Sequence, residues 1–166
     1  IALLLLFPAN RPGRFFKNVG RLLLIIILVA ALWAAGSVWN VQNEMLYLKV
    51  PTDARAEQAL AALPNLEQLT IPGPDGEIYG GWLMKNGTGK AGLVLYFGGN
   101  DEQSASTMES FVRYAGNGMF DGFNVMMVDY PNYGRSTGET GEEGAFRMAQ
   151  AAYDYALARP EVAGEQ

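Results

Sequence analysis

Two short glycine-rich segments contain the residues best suited to chemistry. The first is Gly98-Gly99-Asn100, which directly follows the apolar run 91–97. Glycine has no Cβ, so this segment would let the backbone approach a ligand closely. It is not a phosphate-binding loop, because the chain has neither GK[ST] nor G-x-G-x-x-G. The second segment, 134–138, reads Gly-Arg-Ser-Thr-Gly and matches the G-x-S-x-G pattern around a nucleophilic serine, here Ser136.

Ser136 is nevertheless predicted to be a decoy. A nucleophile elbow places its serine on a sharp turn at the strand end, whereas residues 131–134 intervene after Tyr130. The chain contains no histidine to accept the proton, and an unassisted hydroxyl is a weak nucleophile. A Ser-His-Asp triad therefore cannot be completed within these 166 residues. We expect Ser136 to form hydrogen bonds within its loop or to cap the next helix.

The acidic side chains have structural interpretations as well. Asp129 lies at a strand end, where a triad acid could stand, but we expect it to be structural. Three glutamates, at 139, 142 and 143, lie near a helix start, where carboxylates favour the helix dipole. The sequence has no His or Cys ligand and no carboxylate ligand loop, so we expect neither a metal nor another cofactor.

Charge is distributed unevenly along the chain. Residues 1–21 contain four basic residues and no acid, and the remainder contains eight basic and seventeen acidic residues. Nucleic-acid binding requires clustered Lys and Arg that release counterions, so the acidic body argues against a nucleic-acid partner. The four basic residues are Arg11, Arg14, Lys17 and Arg21.

The basic N-terminus precedes a membrane-spanning pattern. The uncharged run 22–43 lies between Arg21 and Glu44 and exceeds the ~20 residues that cross a bilayer as a helix. It predicts a single-pass anchor in the lipid bilayer. By the positive-inside rule, residues 1–21 are cytoplasmic and the acidic body is extracytoplasmic. A cleaved signal peptide with small residues at 34–36 stays open as an alternative, although its apolar region would be shorter.

The rest of the chain predicts a connector, 44–65, and an α/β domain, 66–166. The connector contains a short helix that Thr52 or Asp53 can cap and that Pro64 ends. In the domain, patterns of period two and period 3.6 alternate. They predict a β-hairpin over 67–85, strands buried on both faces over 91–97 and 123–130, a helix ended by Gly116 and Gly118, and a helix over 142–159.

Two motifs resemble the third and fourth strands of α/β-hydrolases. They are 96–100, Tyr-Phe-Gly-Gly-Asn, and 128–136, Val-Asp-Tyr-Pro-Asn-Tyr-Gly-Arg-Ser. The closest branch is that of membrane-anchored serine hydrolases of the esterase and acyl-thioesterase kind. Gly98 stands where many members have a histidine, which is usually structural. The resemblance runs over about 43–166.

The resemblance implies the N-terminal half of an α/β-hydrolase sheet behind one transmembrane helix. It assigns one oxyanion-hole donor to the backbone N–H of Asn100, with Gly98 and Gly99 beside it. The nucleophile, acid and histidine would follow Gln166. The sequence thus predicts a fragment of a membrane-tethered serine hydrolase of small acyl esters or thioesters, inactive by itself. Two alternatives remain: a non-catalytic, membrane-anchored partner-binding protein, and a plain strand-to-helix turn at 98–101 capped by Asp101 or Ser104.

Overall fold

A computed structural model describes residues 12–47, 49–87 and 89–162 of the chain. The chain divides into two compact units, Ile1–Met45 and Leu46–Gln166. Helix α1, Pro12–Leu46, contains a segment, Phe15–Val41, long and apolar enough to cross a membrane, with a mean hydropathy of 2.5. It continues beyond both ends of the predicted span 22–43. The basic N-terminus before residue 12, including Arg11, lies outside the described residues, as do 163–166.

The second unit contains one mixed sheet with helices on both faces. Its strands run in the order β1-β2-β4-β3. The first two strands form the predicted antiparallel hairpin, in which Leu66 pairs with Met84 and Pro72 with Ile78. The elements are α2 Ala54–Ala61, β1 Leu66–Pro72, β2 Ile78–Met84, β3 Gly92–Tyr96, α3 Ser104–Ala115, β4 Phe123–Val128 and α4 Glu142–Leu157.

Strands β3 and β4 are parallel, so their carboxyl ends lie at the same edge of the sheet. Strand β4 is also hydrogen bonded to β2, antiparallel, so β4 has a neighbouring strand along each edge. Both strands end earlier than predicted. Asp129 and Tyr130 already belong to the loop after β4, and Phe97 to the loop after β3.

The two sheet faces bury separate apolar clusters. Successive side chains of a strand point to opposite faces, so Met126 packs towards α4 while Val125 and Met127 pack towards α2 and α3. Each fully buried side chain of this size contributes about 1.5–3 kcal/mol to folding. The α4 side includes Leu69, Ile71, Tyr79, Leu83, Val128, Met148, Ala152 and Ala156, and the other side includes Ala56, Leu60, Trp82, Met84, Ala105 and Met108.

Burial on both faces holds for β4 but only in part for β3. Residues 124–128 are buried, whereas every residue of β3 retains partial exposure. The partial exposure of β3 follows from how it pairs with other strands. Within the described residues, β3 has β4 along one edge and only the isolated parallel bridge from Ala91 to Val162 along the other.

Side chains cap the N-terminal ends of α2 and α3 by accepting hydrogen bonds from backbone N–H groups of the first turn. Asp53 caps α2 by accepting hydrogen bonds from the N–H groups of Arg55 and Ala56, at 3.0 and 3.1 Å. Neither Asp101 nor Ser104, the caps named for the alternative of a plain strand-to-helix turn, caps α3. The capping residue is Gln103, whose side-chain oxygen accepts from the Ala105 N–H, because Ser104 is already the first helical residue.

Candidate functional site

The loop after β3 is held in place by one carboxylate. Oε2 of Glu102 accepts hydrogen bonds from the backbone N–H of Gly99, at 3.0 Å, and from the Tyr96 hydroxyl, at 3.1 Å. The Glu102 N–H in turn donates to the Gly99 carbonyl, at 3.2 Å. Asp101, between them, has a φ of 74°. The loop therefore folds back on itself before α3 begins, and its conformation is fixed by a charged acceptor.

Asn100 joins this loop to the loop after β4. The hydroxyl of Tyr133 donates to Oδ1 of Asn100 at 3.1 Å. Tyr133 is buried, and its ring packs edge-on against Tyr130 with centroids 5.9 Å apart. The two motifs that carried the resemblance therefore meet directly at the end of the sheet, through residues 33 positions apart in sequence.

Asp129 connects the second loop to the start of α3. Its Oδ1 accepts from the Ser104 N–H at 2.6 Å, so it satisfies a backbone donor at the helix N-terminus. Burial raises the pKa of this carboxyl, although the hydrogen bond from Ser104 acts in the opposite direction. Asp129 thus interacts with Ser104 and Arg135, which belong to the fold itself, and this is consistent with the structural role that the sequence suggested.

Ser136 is buried and uses its hydroxyl in two hydrogen bonds. Oγ accepts from the Gly80 N–H at 2.9 Å and donates to the Asp129 carbonyl at 2.8 Å. It thereby connects strand β2 to the residue that follows β4. A hydroxyl engaged in this way does not face a substrate. The geometry supports the interpretation of Gly-x-Ser-x-Gly as a loop motif rather than a nucleophile elbow.

A pocket opens at the carboxyl ends of β3 and β4, with a volume of about 480 Å³. This lies within the range of about 300–1,000 Å³ that is usual for small-molecule sites. Gly98, Gly99 and Asn100 form one wall, so the structure brings all three predicted site residues to the same cavity. The other lining residues come mainly from the loop after β4 and from α4: Leu46, Tyr47, Phe97, Tyr130, Pro131, Tyr133, Thr140, Gly141, Glu142, Ala145, Phe146 and Ala149.

Two tyrosines near the glycine-rich loop, Tyr96 and Tyr130, have raised pKa values. Burial, followed by the nearby Glu102 carboxylate, raises the pKa of Tyr96 above its usual value. The same two causes raise the pKa of Tyr130. Both hydroxyls therefore keep their protons, and Tyr96 acts as a hydrogen-bond donor to the loop.

Sequence reasoning did not identify Glu102, Gln103 or Tyr133. Each acts on the loop through its side chain, and nothing in local periodicity reports such contacts. One signal was present for Tyr133, since it lies within the second motif quoted for the resemblance. Two expectations were that Ser136 is no elbow serine and that Asp129 is structural, and the geometry above is consistent with both.

Comparison with known proteins identifies the fold. No family model matches the chain. Among solved structures, it is similar to an α/β-hydrolase from Vibrio vulnificus, with a TM-score of 0.58, 16% identity, and coverage of 73% of this chain and 42% of the hydrolase. An esterase from Pyrococcus furiosus gives a TM-score of 0.49 at 18% identity, with 69% and 42% covered.

The chain therefore has an α/β-hydrolase fold. It contains a four-stranded mixed sheet flanked by helices. The chain spans less than half the length of the Vibrio hydrolase. One apolar helix of membrane-spanning length precedes the sheet.

Proposed function

We propose that this chain is the N-terminal part of a membrane-tethered serine hydrolase that cleaves an ester or thioester. Residues 22–43 of α1 form the anchor, and the backbone N–H of Asn100 is one donor of the oxyanion hole. The nucleophile, acid and histidine are contributed by sequence outside these 166 residues.

The observation that carries the proposal is the position of Gly98-Gly99-Asn100. In open α/β sheets, ligands bind in the crevice beyond the carboxyl ends of the strands. The loops that follow the parallel strands β3 and β4 enclose the pocket at that edge, and the three residues form its wall. Acyl transfer needs preorganised N–H groups at this point, where the tetrahedral intermediate carries its negative charge.

The loop also has the rigidity that an oxyanion hole requires. A donor helps catalysis only if it already points to the developing charge, so that no reorganisation accompanies the reaction. Glu102 fixes the loop through the Gly99 N–H, and Tyr133 fixes the Asn100 side chain from the neighbouring loop. These two contacts hold both sides of Asn100, which favours a preformed donor.

The absence of histidine from the sequence determines the division of roles. A serine becomes an effective nucleophile only when an adjacent base removes its proton. No imidazole exists in the chain, and Ser136 is engaged with backbone groups. This chain is therefore proposed to supply one half of the substrate site and the membrane anchor.

The reading frame beyond codon 166 provides the first test. We expect it to continue into a second G-x-S-x-G motif and a later histidine. An authentic stop codon would contradict the hydrolase and favour a membrane-anchored partner-binding protein.

The 166-residue chain itself should not be labelled by a fluorophosphonate probe. Specific labelling that disappears in Ser136→Ala would overturn our assignment of roles.

In the full-length enzyme, two substitutions separate the Asn100 backbone from its side chain. Asn100→Pro removes the N–H, and we expect kcat for a p-nitrophenyl ester to fall by about 10²–10³. Asn100→Ala keeps the N–H and removes the side-chain oxygen that accepts from the Tyr133 hydroxyl, so we expect a loss of less than about tenfold. Equal losses, with equal thermal stability of the two variants, would remove the Asn100 N–H from the oxyanion hole.

A further inference from the structure

We propose that the pocket beside Gly98-Gly99-Asn100 binds the uncharged acyl chain of a lipid that enters from the bilayer. The inference rests on the proposed function, because it names the substrate class of the same site. Its three supports are the apolar character of the pocket wall, the charge of that wall, and the short stretch of chain that joins it to the membrane-spanning segment.

Apolar side chains make up much of the remaining pocket lining. Helix α4 contributes Ala145, Phe146 and Ala149, and the loops contribute Phe97 and Pro131. Phe146 is 67% exposed, although a side chain of this size is ordinarily buried. A hydrocarbon chain in the pocket would cover it, and each buried methylene would strengthen binding about fourfold.

The charge of the pocket lining disfavours negatively charged ligands. Among the described lining residues, Glu142 is the one charged side chain, and neither lysine nor arginine is present. Phosphate and carboxylate groups are typically bound by Arg or Lys side chains. The helix N-terminus at this pocket, that of α4, begins with the Glu142 carboxylate, which opposes its attraction for an anion. An acyl group with a terminal carboxylate, or a thioester whose thiol carries phosphates, would meet a like charge here. A neutral acyl chain meets none of this repulsion.

Chain connectivity limits the distance between the pocket lining and the membrane-spanning segment. The spanning segment ends at Val41, and Leu46 and Tyr47 already line the pocket. A polypeptide extends at most about 3.6 Å per residue, so Leu46 lies within about 18 Å of Val41 however the two units are arranged. With α1 in a bilayer, the pocket is within reach of the lipid layer, and a membrane-dissolved ester can enter without first crossing bulk water.

Photoaffinity labelling of the chain, reconstituted in phosphatidylcholine vesicles, tests the proposal without requiring turnover. The probe is a palmitoyl ester with a diazirine on its acyl chain, and a butyryl ester with the same group is the comparison. We expect the palmitoyl probe to label the peptide that contains residues 141–149. We expect labelling by the butyryl probe to be at least tenfold weaker. Equal labelling by the two probes would overturn the proposal.

Two variants on the same helix provide the matched control. Phe146→Glu introduces a carboxylate into the pocket, and we expect labelling of 141–149 to fall at least fivefold. Leu157→Glu places the same charge on an equally apolar, exposed position of α4 outside the pocket, and labelling should stay within twofold. Equal labelling of both variants, or labelling confined to α1, would contradict the proposal. Pocket labelling in a full-length protein without esterase activity would support this inference while rejecting the hydrolase function.

Discussion

The buried hydroxyl of Ser136 connects strand β2 to the loop after β4, and we expect its removal to lower the stability of the fold. Ser136→Ala leaves the Gly80 N–H and the Asp129 carbonyl without their partner. We expect the free energy of unfolding to fall by about 1–3 kcal/mol, the usual effect of leaving a buried polar group unsatisfied. Urea unfolding in detergent micelles, followed by circular dichroism, measures the loss. Ser110→Ala on α3 is the control, because that hydroxyl is hydrogen bonded only to exposed Arg113.

Glu67 should make stability depend on pH in the acid range. The bidentate contact with Arg159 lowers the pKa of this carboxyl from 4.5 to about 2. A folded-state pKa below the unfolded value stabilises the fold above pH 4.5, and this contribution is lost as pH falls towards 2.

The variant that tests this pH dependence is Glu67→Gln. It should lower the unfolding free energy by about 1 kcal/mol at pH 7, since solvent screens a partly exposed pair. The difference from the parent chain should vanish near pH 2. Glu109→Gln, at an exposed position of α3, is the control and should show no such trend. A pH-independent difference would show that the pair contributes nothing through charge.

For individual residues, the sequence predicted which residues line the site better than it predicted which residues contact them. It selected Gly98, Gly99 and Asn100, and the structure places them at one pocket. It missed Glu102 and Tyr133, since their contacts depend on how two loops fold against each other. The role of the Asn100 N–H as an oxyanion-hole donor also depends on how the two loops fold against each other, and it therefore stays a prediction.

The loop after β4 depends on a glycine that other residues cannot replace. Gly134 has a φ of 49°, and a Cβ there would overlap the carboxylate of Asp129. Gly122, before β4, has a φ of 79° but open space around the Cβ position. We expect Gly122→Ala to cost about 1–2 kcal/mol from backbone strain alone. Gly134→Ala should cost at least about 1 kcal/mol more, because of the overlap. Equal melting temperatures of the two variants would contradict this difference.

Elements were predicted well where local chemistry decides them. The Asp75-Gly76 turn, with both residues at positive φ, gives the hairpin of β1 and β2 as the sequence indicated. Errors occur at element ends. Arg159 was assigned to α4, but it lies beyond the helix, where its guanidinium contacts Glu67 of β1. Such a long-range ion pair leaves no trace in helical periodicity.

For the whole molecule, the orientation in the membrane can be tested with single cysteines, since the chain has none of its own. Gly13→Cys and Glu139→Cys both lie at exposed positions. By the positive-inside rule, a membrane-impermeant maleimide should label Glu139→Cys in intact cells or spheroplasts. It should label Gly13→Cys only after the membrane is permeabilised. The cysteine-free parent is the blank, and the opposite pattern would reverse the proposed orientation.

The length of α1 has a consequence for where such a chain would reside. Its uncharged stretch, 22–43, has 22 residues, which corresponds to about 33 Å of helix. The hydrocarbon layer of an average bilayer is about 30 Å thick. A surplus of that size is absorbed by tilting the helix or by stretching the lipids around it. Either response costs a fraction of a kcal/mol per Å, so hydrophobic mismatch would favour partitioning into the thicker, sterol-rich or long-chain membranes over thinner ones.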